Sequence, residues 1–345
     1  MSSKWQGSAH ITGRAEEMGV TRSRASGEGR HKSKRLTRPA LALWMAALAF
    51  VAMLVLLLGA CSSARVSSSS TSAGPVVVIA AENFWGSIAA QLAGGRAGVT
   101  SIITNPNTDP HDYEPTAQDA LKIATAQLVI ENGIGYDPWV DRLLGASSVK
   151  GRLVLNVADV VGVKPGGNPH RWYSPGDVQK VIARITADYK ALDPKDGAYF
   201  NQQEQSFETK SLAPYDALIS AIKATYAGTS IGASESIVVP LAQALGLNLV
   251  TPASFLNAIS EGTDPTAQDK ATIDHEIKGK LIKVYIYNSQ NATPDVQAQV
   301  TEARAAGIPV VTITETLAPA TATFQDWQVA QLGRIQAALS RSTGK

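Results

Sequence analysis

Five histidines occur in the chain, and three of them, His111, His170 and His275, lie beyond residue 60. Two of these sit in matching contexts, DPHDYEPT (residues 109–116) and GNPHRWYSP (residues 167–175). Each of the two imidazoles follows a proline, which fixes its own φ and biases the residue before it toward extended geometry, so the ring is carried on stiff backbone. Rigid presentation is what a metal-ligand shell needs. Two carboxylates extend the set: Glu235 at the end of the strand-like TSIGASES and Glu315 just after PVVTIT. Two imidazoles with two carboxylates suit a divalent first-row metal. Each residue alone has a plainer reading, since a loop histidine is usually solvated and a glutamate ending a strand is more often a helix cap or a surface charge. His275, in DHEIKGK on a helical stretch, reads as an ordinary exposed histidine and stays outside the set.

The elements that must position these groups alternate. VVVIAAEN (residues 76–83) is a β-branched run, followed by FWGSIAAQLAGG with helical apolar spacing that stops at Gly94 and Gly95. VTSIIT, QLVIENG and RLVLNV read as further buried strands, with a helix over residues 117–126. The alternation predicts βαβ units and a parallel sheet covered on both faces. Residues 176–192 and 195–226 carry helical periodicity, broken or kinked near Pro194 and Pro214. Strands return at residues 229–236, 247–252, 282–288 and 309–314, and a terminal helix spans residues 324–340. The expectation is an α/β fold of two doubly wound parallel-sheet lobes joined by a long helix. Residues 75–175 form the N-terminal lobe, 176–227 the helical connection and 228–345 the C-terminal lobe. In open α/β sheets ligands bind beyond the carboxyl ends of the strands. His111 follows the second strand and His170 the fourth, so both lie at that edge, and Glu235 and Glu315 approach the same crevice from the second lobe.

The N-terminal segment says where such a site would work. Nine of the 31 basic and three of the 29 acidic residues precede Pro39, leaving 22 basic against 26 acidic residues and a net −4 for the rest. No basic nucleic-acid footprint remains. Residues 40–60 are uncharged and Ala/Leu-rich, ending in LLGAC, and Cys61 is the one cysteine. A basic flank, an apolar run and small residues before a cut point make an export signal over residues 1–60. The run is long enough to span a bilayer, so an uncleaved anchor is the competing reading. Leu58, Gly59, Ala60 and Cys61 resemble the bacterial lipoprotein box, which predicts lipidation of Cys61. The n-region is long, which makes Met18 an alternative start. Residues 61–74 form a Ser-rich tether of flexible-coil composition. With a lone cysteine, no disulfide forms within one mature chain.

Taken together, ENFWGSIAAQLAG, DPHDYEPT, LVIENGIGYDPW, NPHRWYSP and FQDWQVAQL resemble the metal-binding lipoproteins of bacterial ABC transporters, the TroA/ZnuA-like family. The likeness runs from Pro75 to the last helix. It implies two lobes bridged by a long helix, one ion between them, a monomer lipid-anchored to the outer face of the cytoplasmic membrane, and delivery to an ABC permease. It carries His111 and His170 onto the first two ligand positions, Glu235 onto the third and Glu315 onto the fourth. The flanks of Glu235, SESIVV, lack the family's usual aromatic, and the His- and acid-rich loop of many zinc members is absent. Glutamate in place of a third histidine tilts the shell toward Mn²⁺, whereas Zn²⁺ outranks Mn²⁺ in raw affinity at almost any such site, and Fe²⁺ stays open. Asp112 and Glu114 are candidate outer acceptors for the imidazoles, Trp172 and Tyr173 candidate cleft walls, and Trp139 core. No HExxH, GxSxG, P-loop or CxxC occurs, so an enzyme is not expected. The alternatives are an adhesin or structural surface lipoprotein, a binder of an organic ligand in the same cleft and, further back, a metalloenzyme.

Overall fold

A computed structural model describes residues 74–345 apart from Asp109. The signal segment, Cys61 and all but the last residue of the tether lie outside the described residues. The first lobe opens with β1 (Val76–Glu82), α1 (Asn83–Ala93) and β2 (Ala97–Ile103). It continues with α2 (Ala117–Thr125), β3 (Leu128–Glu131), α3 (Pro138–Ala146), β4 (Leu153–Asn156) and the short α4 (Val157–Val161). The sheet order is β2-β1-β3-β4, and every pairing is parallel. Alternation along β1 sends Val78 and Ala80 into one core and Ile79 and Ala81 into the other, so both faces are covered. Helix α1 lies close on the sheet because Gly86 faces Ser101, where a Cβ would come within 2.0 Å of the hydroxyl oxygen.

The connection is helical, as its periodicity predicts. After α5 (Pro175–Leu192), Pro194 opens a single 3₁₀ turn. Helix α6 (Gly197–Ser206), a π-turn (Phe207–Ser211) and α7 (Ala213–Tyr226) then follow almost without interruption. Thirty residues at about 1.5 Å each make a rod of roughly 45 Å. The π-turn lies where it relieves Pro214, whose ring would clash with the carbonyl four residues back in a regular helix. Its signature is the bond from Leu212 N to Phe207 O, 2.9 Å.

The second lobe repeats the first. Its elements are β5 (Ser230–Ala233), α8 (Val238–Leu245), β6 (Asn248–Leu249), α9 (Ala253–Ser260) and α10 (Ala267–Lys278). They continue with β7 (Val284–Asn288), α11 (Pro294–Ala305), β8 (Val310–Ile313) and α12 (Phe324–Thr343). The order β6-β5-β7-β8 reproduces that of the first sheet, again all parallel. The lobes do not have separate cores on the helical side. One cluster of buried side chains runs from Val78 and Trp85 through Trp172, Ile182 and Tyr215 to Ile286 and Ile335. A second, smaller cluster around Ile79, Ile123, Val129 and Trp139 fills the other face of the N-terminal sheet. Trp139 is core packing, as its sequence context predicts.

Candidate metal centre

His111 is placed by its own motif. It lies in a 3₁₀ turn (Pro110–Asp112), and the residues behind it converge on one carboxylate. Thr116 and Asp119 form a capping box at the start of α2, and the Tyr113 hydroxyl donates to Asp119 Oδ2 at 2.8 Å. Burial raises the Asp119 pKa, but hydrogen bonds from Thr116, Lys122 and Tyr113 outweigh it and hold the group at about 2. Tyr113 and Thr116 thus anchor the chain on the downstream side of the imidazole.

His170 is placed by the second motif. Its backbone N–H donates to Asn168 Oδ1 at 2.9 Å, and its ring Nδ1 lies 3.0 Å from the same oxygen. The Asn168 amide nitrogen donates across the cleft to Ser236 O at 2.7 Å, which fixes the orientation of the amide. An amide oxygen only accepts, so Nδ1 carries the ring proton and Nε2 turns its lone pair inward. Behind the ring, Trp172 packs edge-on at 5.3 Å and stacks on Phe84 at 4.0 Å. Trp172 and Tyr173 are both fully buried, and they form the wall behind His170. Arg171 pairs with Asp177 in the first turn of α5, which fastens the downstream end.

From the second lobe, Glu235 follows β5 and Glu315 follows β8. His170 Nε2 lies 3.7 Å from Glu235 Oε1 and 3.6 Å from Glu315 Oε1, and His111 Nε2 lies 4.0 Å from Glu315 Oε1. One ligand atom from each of the four residues falls within 4.8 Å of the others. Three of the four residues are buried. The His111 side chain, 21% exposed, is the one that reaches solvent. It faces a cavity of about 760 Å³ whose acidic lining, among the described residues, consists of Asp112 and Glu261. Asp112 and Glu114 are exposed, and the acceptor found at His170 is the neutral Asn168. His275 is exposed on α10.

Three further side chains hold the carboxylates, and sequence reasoning missed them. Asn288, at the end of β7, donates from its amide nitrogen to Glu235 Oε2 at 2.9 Å and to Glu315 Oε1 at 2.8 Å. Tyr136, in the loop after β3, donates to Glu315 Oε2 at 2.9 Å. Ser260 donates to Glu235 Oε1 at 3.2 Å. Every carboxylate oxygen therefore carries one protein donor, and Oε1 of each is the oxygen facing the imidazoles. Burial first, and the adjacent Glu315 charge second, push the Glu235 carboxyl well above its usual range. Asn288 ends β7 and Tyr136 follows β3, so each lies at the carboxyl end of the third strand of its sheet, next to the point where strand order reverses.

The Tyr136 loop is itself strained and braced. Gly133, Ile134 and Gly135 have consecutive positive φ values of 70°, 59° and 82°. For the β-branched Ile134 this costs about 1–2 kcal/mol. Asp137 offsets it by accepting from the backbone N–H of Asn132 at 2.6 Å and of Gly133 at 2.7 Å. Beneath the loop, Glu82 is fully buried. Burial, followed by the Asp137 and Glu131 charges, raises its pKa well above 4.5, so it keeps its proton against Asp137. A carboxyl raised on folding contributes stability below its unfolded pKa and loses it as pH rises toward the folded value. Glu82→Gln is therefore expected to raise stability at neutral pH and to flatten the decline on the alkaline side. Thermal denaturation of both proteins in acid, neutral and alkaline buffer checks it.

A family model described as zinc-uptake complex component A, periplasmic, matches residues 78–338, and the chain belongs to that family. The manganese ABC transporter substrate-binding lipoprotein PsaA of Streptococcus pneumoniae is 25% identical over 268 residues, 71% of this chain and 81% of its own length. The zinc-binding lipoprotein AdcA of Streptococcus pneumoniae R6 is 26% identical over 223 residues, 59% and 43% of the two chains. The iron-binding protein YfeA of Yersinia pestis is 28% identical over 127 residues, 35% and 41%. The chain spans about half the length of several curated relatives that it matches. Among solved structures, a Mn-bound periplasmic metal binding protein from Candidatus Liberibacter asiaticus superposes with a TM-score of 0.63 at 21% identity, over 76% of this chain and 99% of that one. A crystal structure titled ZnuA also gives 0.63, at 20% identity, over 77% and 100%. These likenesses show the fold of two parallel-sheet lobes.

Proposed function

We propose that the chain captures one divalent transition-metal ion outside the cytoplasm, with His111, His170, Glu235 and Glu315 as its ligands, and delivers it to an ABC permease. The observation that carries this is the convergence of two imidazoles from one lobe and two buried carboxylates from the other on a space the size of one ion. Mn²⁺, Zn²⁺ and Fe²⁺ are the candidate cargoes, matching the metals in the names of the relatives. Two carboxylates in a buried space ionise together only with a cation between them, and the acidic rim of the cleft draws one in. Capture joins the lobes. The continuous core behind the site and the rod connecting the lobes limit the swing, so the expected closure is small.

Two features support transport over catalysis. A catalytic metal keeps an open position for water or substrate, whereas here four side chains from both lobes are placed to serve as ligands to one ion. The relatives are substrate-binding proteins by name. The relatives' names and the N-terminal sequence support a lipid anchor at Cys61 on the outer face of the cytoplasmic membrane. Among the described residues, no helix is long and apolar enough to cross a membrane.

Hydrogen bonds from Asn288 and Tyr136 turn one oxygen of each carboxylate away from the ion, and this makes position 235 the selectivity lever. A third imidazole there favours Zn²⁺ over Mn²⁺. Glu235→His is expected to move the Zn²⁺/Mn²⁺ affinity ratio at least about tenfold toward zinc, roughly the scale of 1.4 kcal/mol. Competitive titration of the intact chain with both ions measures it. An unchanged ratio removes Glu235 from the ligand set.

A further inference from the structure

Gln290 lies in the loop after β7, and its side chain bridges the lobes beside the candidate site. Its Oε1 accepts from Thr316 N at 2.9 Å, and its Nε2 donates to Thr316 Oγ1 at 2.8 Å. The same Nε2 donates across the cleft to the backbone carbonyl of Pro106. The amide orientation follows from chemistry, because a backbone N–H requires the oxygen and a carbonyl requires the nitrogen. Thr316 is the neighbour of Glu315, and Pro106 lies five residues before His111, in a turn closed by Thr108 N to Asn105 O at 3.0 Å. The backbone N–H of Gln290 donates to Asn288 Oδ1 at 2.9 Å, and Asn288 in turn holds both candidate carboxylates. A chain of hydrogen bonds therefore runs from Glu235 and Glu315 through Asn288 and Gln290 to the segment carrying His111.

The placement separates this bridge from most other contacts between the lobes. Asn83 with Leu317, Ser87 with Phe324, Tyr173 with Thr314 and Trp172 with Gln328 all join the lobes behind the site, next to the shared core. Gln290 acts instead on the strand-to-turn segment leading to the one candidate ligand that reaches solvent. An ion leaving the site toward the cleft must part from His111, and His111 is held in place downstream by Asp119 and upstream by Pro106.

We propose that Gln290 is a positioning residue that ties the His111 segment to the Glu315 loop and thereby sets how fast a captured ion is released. The inference rests on the metal-capture reading above. Its test is stopped-flow release of Zn²⁺ from the intact chain, in detergent, into excess EDTA, for the wild type, Gln290→Ala and Gln290→Glu. The glutamate variant keeps acceptors for both Thr316 donors but has no donor for Pro106. Its added negative charge would by itself slow release. Both variants are expected to release Zn²⁺ about tenfold faster, the scale of one lost hydrogen bond. The metal-free melting temperature of Gln290→Glu should stay within about 2 °C of wild type, while that of Gln290→Ala falls by a few degrees because the buried Thr316 N–H loses its acceptor. Release at the wild-type rate in either variant overturns the proposal. So does acceleration confined to Gln290→Ala with a lowered metal-free melting temperature, since the Thr316 contacts alone would then account for it. A wild-type chain that takes up no Zn²⁺ refutes the capture reading itself, and the inference falls with it.

Discussion

Replacing His170 by alanine is expected to abolish the thermal stabilisation conferred by Mn²⁺ or Zn²⁺. His170 is the centre of the set: its Nε2 is within 3.7 Å of an oxygen of each carboxylate, and its side chain is fully buried. A ligand that binds the folded state alone stabilises by RT ln(1 + [L]/Kd), about 4 kcal/mol at a thousandfold excess over Kd. For a chain of this size that is a rise in melting temperature of roughly 8–16 °C. Without His170 two buried carboxylates face each other with one imidazole at the rim, and a charged cluster lacking a ligand loses most of its gain against the desolvation of the ion. Differential scanning calorimetry with and without excess metal reads the difference directly. His111→Ala should lose the shift as well, whereas His275→Ala, on the exposed face of α10, should keep all of it. Retention of the full shift by His170→Ala would take that residue out of the shell.

The second large effect is on pH dependence. In the metal-free protein, burial and the Glu315 charge raise the Glu235 pKa above its usual 4.5. A group raised on folding stabilises the fold below its unfolded pKa, and that contribution is lost as pH climbs from the usual carboxylate range through the folded value. Metal-free stability is therefore expected to fall as pH rises through neutrality. Metal affinity should move the other way, because the ion requires both carboxylates ionised and displaces the proton. The metal-induced rise in melting temperature should thus be smallest in mild acid and grow toward alkaline pH. Glu235→Gln separates the two effects. It removes the ionisation, so the metal-free protein should become more stable at alkaline pH and lose the part of its slope that Glu235 supplies, while metal affinity drops at least about a hundredfold, roughly 3 kcal/mol. Calorimetry across pH checks the first half and isothermal titration the second. A metal-free stability that rises with pH in the wild type would mean that Glu235 is ionised and satisfied without an ion.

Most of the architecture was legible in the chain because parallel strands buried on both faces read as continuous β-branched runs, and those of the first lobe end within a residue or two of prediction. β5 and β6 are the exceptions. TSIGASES reads as a strand over residues 229–236, yet β5 stops at Ala233 and Glu235 lies in the turn beyond it. LNLVTP reads as a six-residue strand, yet only Asn248 and Leu249 pair, because the edge position has one neighbour and Pro252 then starts α9. The long connection was also legible, down to the disturbance at Pro214. A shared core was not, since which helices pack across the lobes depends on tertiary approach that no local pattern encodes.

The four candidate ligands stood out because histidine is scarce in this chain and the ends of parallel strands are where ligands bind. Their support could not. Asn168 sits inside the second motif and was passed over in favour of flanking acids, although a neutral amide oxygen serves as acceptor at His170. Tyr136 and Asn288 each end or follow a strand at the crevice, so the rule that found Glu235 could have found them. What hid them is that a tyrosine in GYDP and an asparagine closing YIYN look like turn chemistry. Their roles appear only when two lobes face each other. Gln290 is further removed still, for its function lies in bridging two backbones more than 180 residues apart.

The measurement that tests the central claim most directly is the metal content of the intact chain after equilibration with buffered Mn²⁺ or Zn²⁺, set beside a His170→Ala, Glu315→Ala double variant. The account predicts one tightly held ion per wild-type chain and none in the variant. A metal-free wild type, or a variant that still holds one ion, would contradict it.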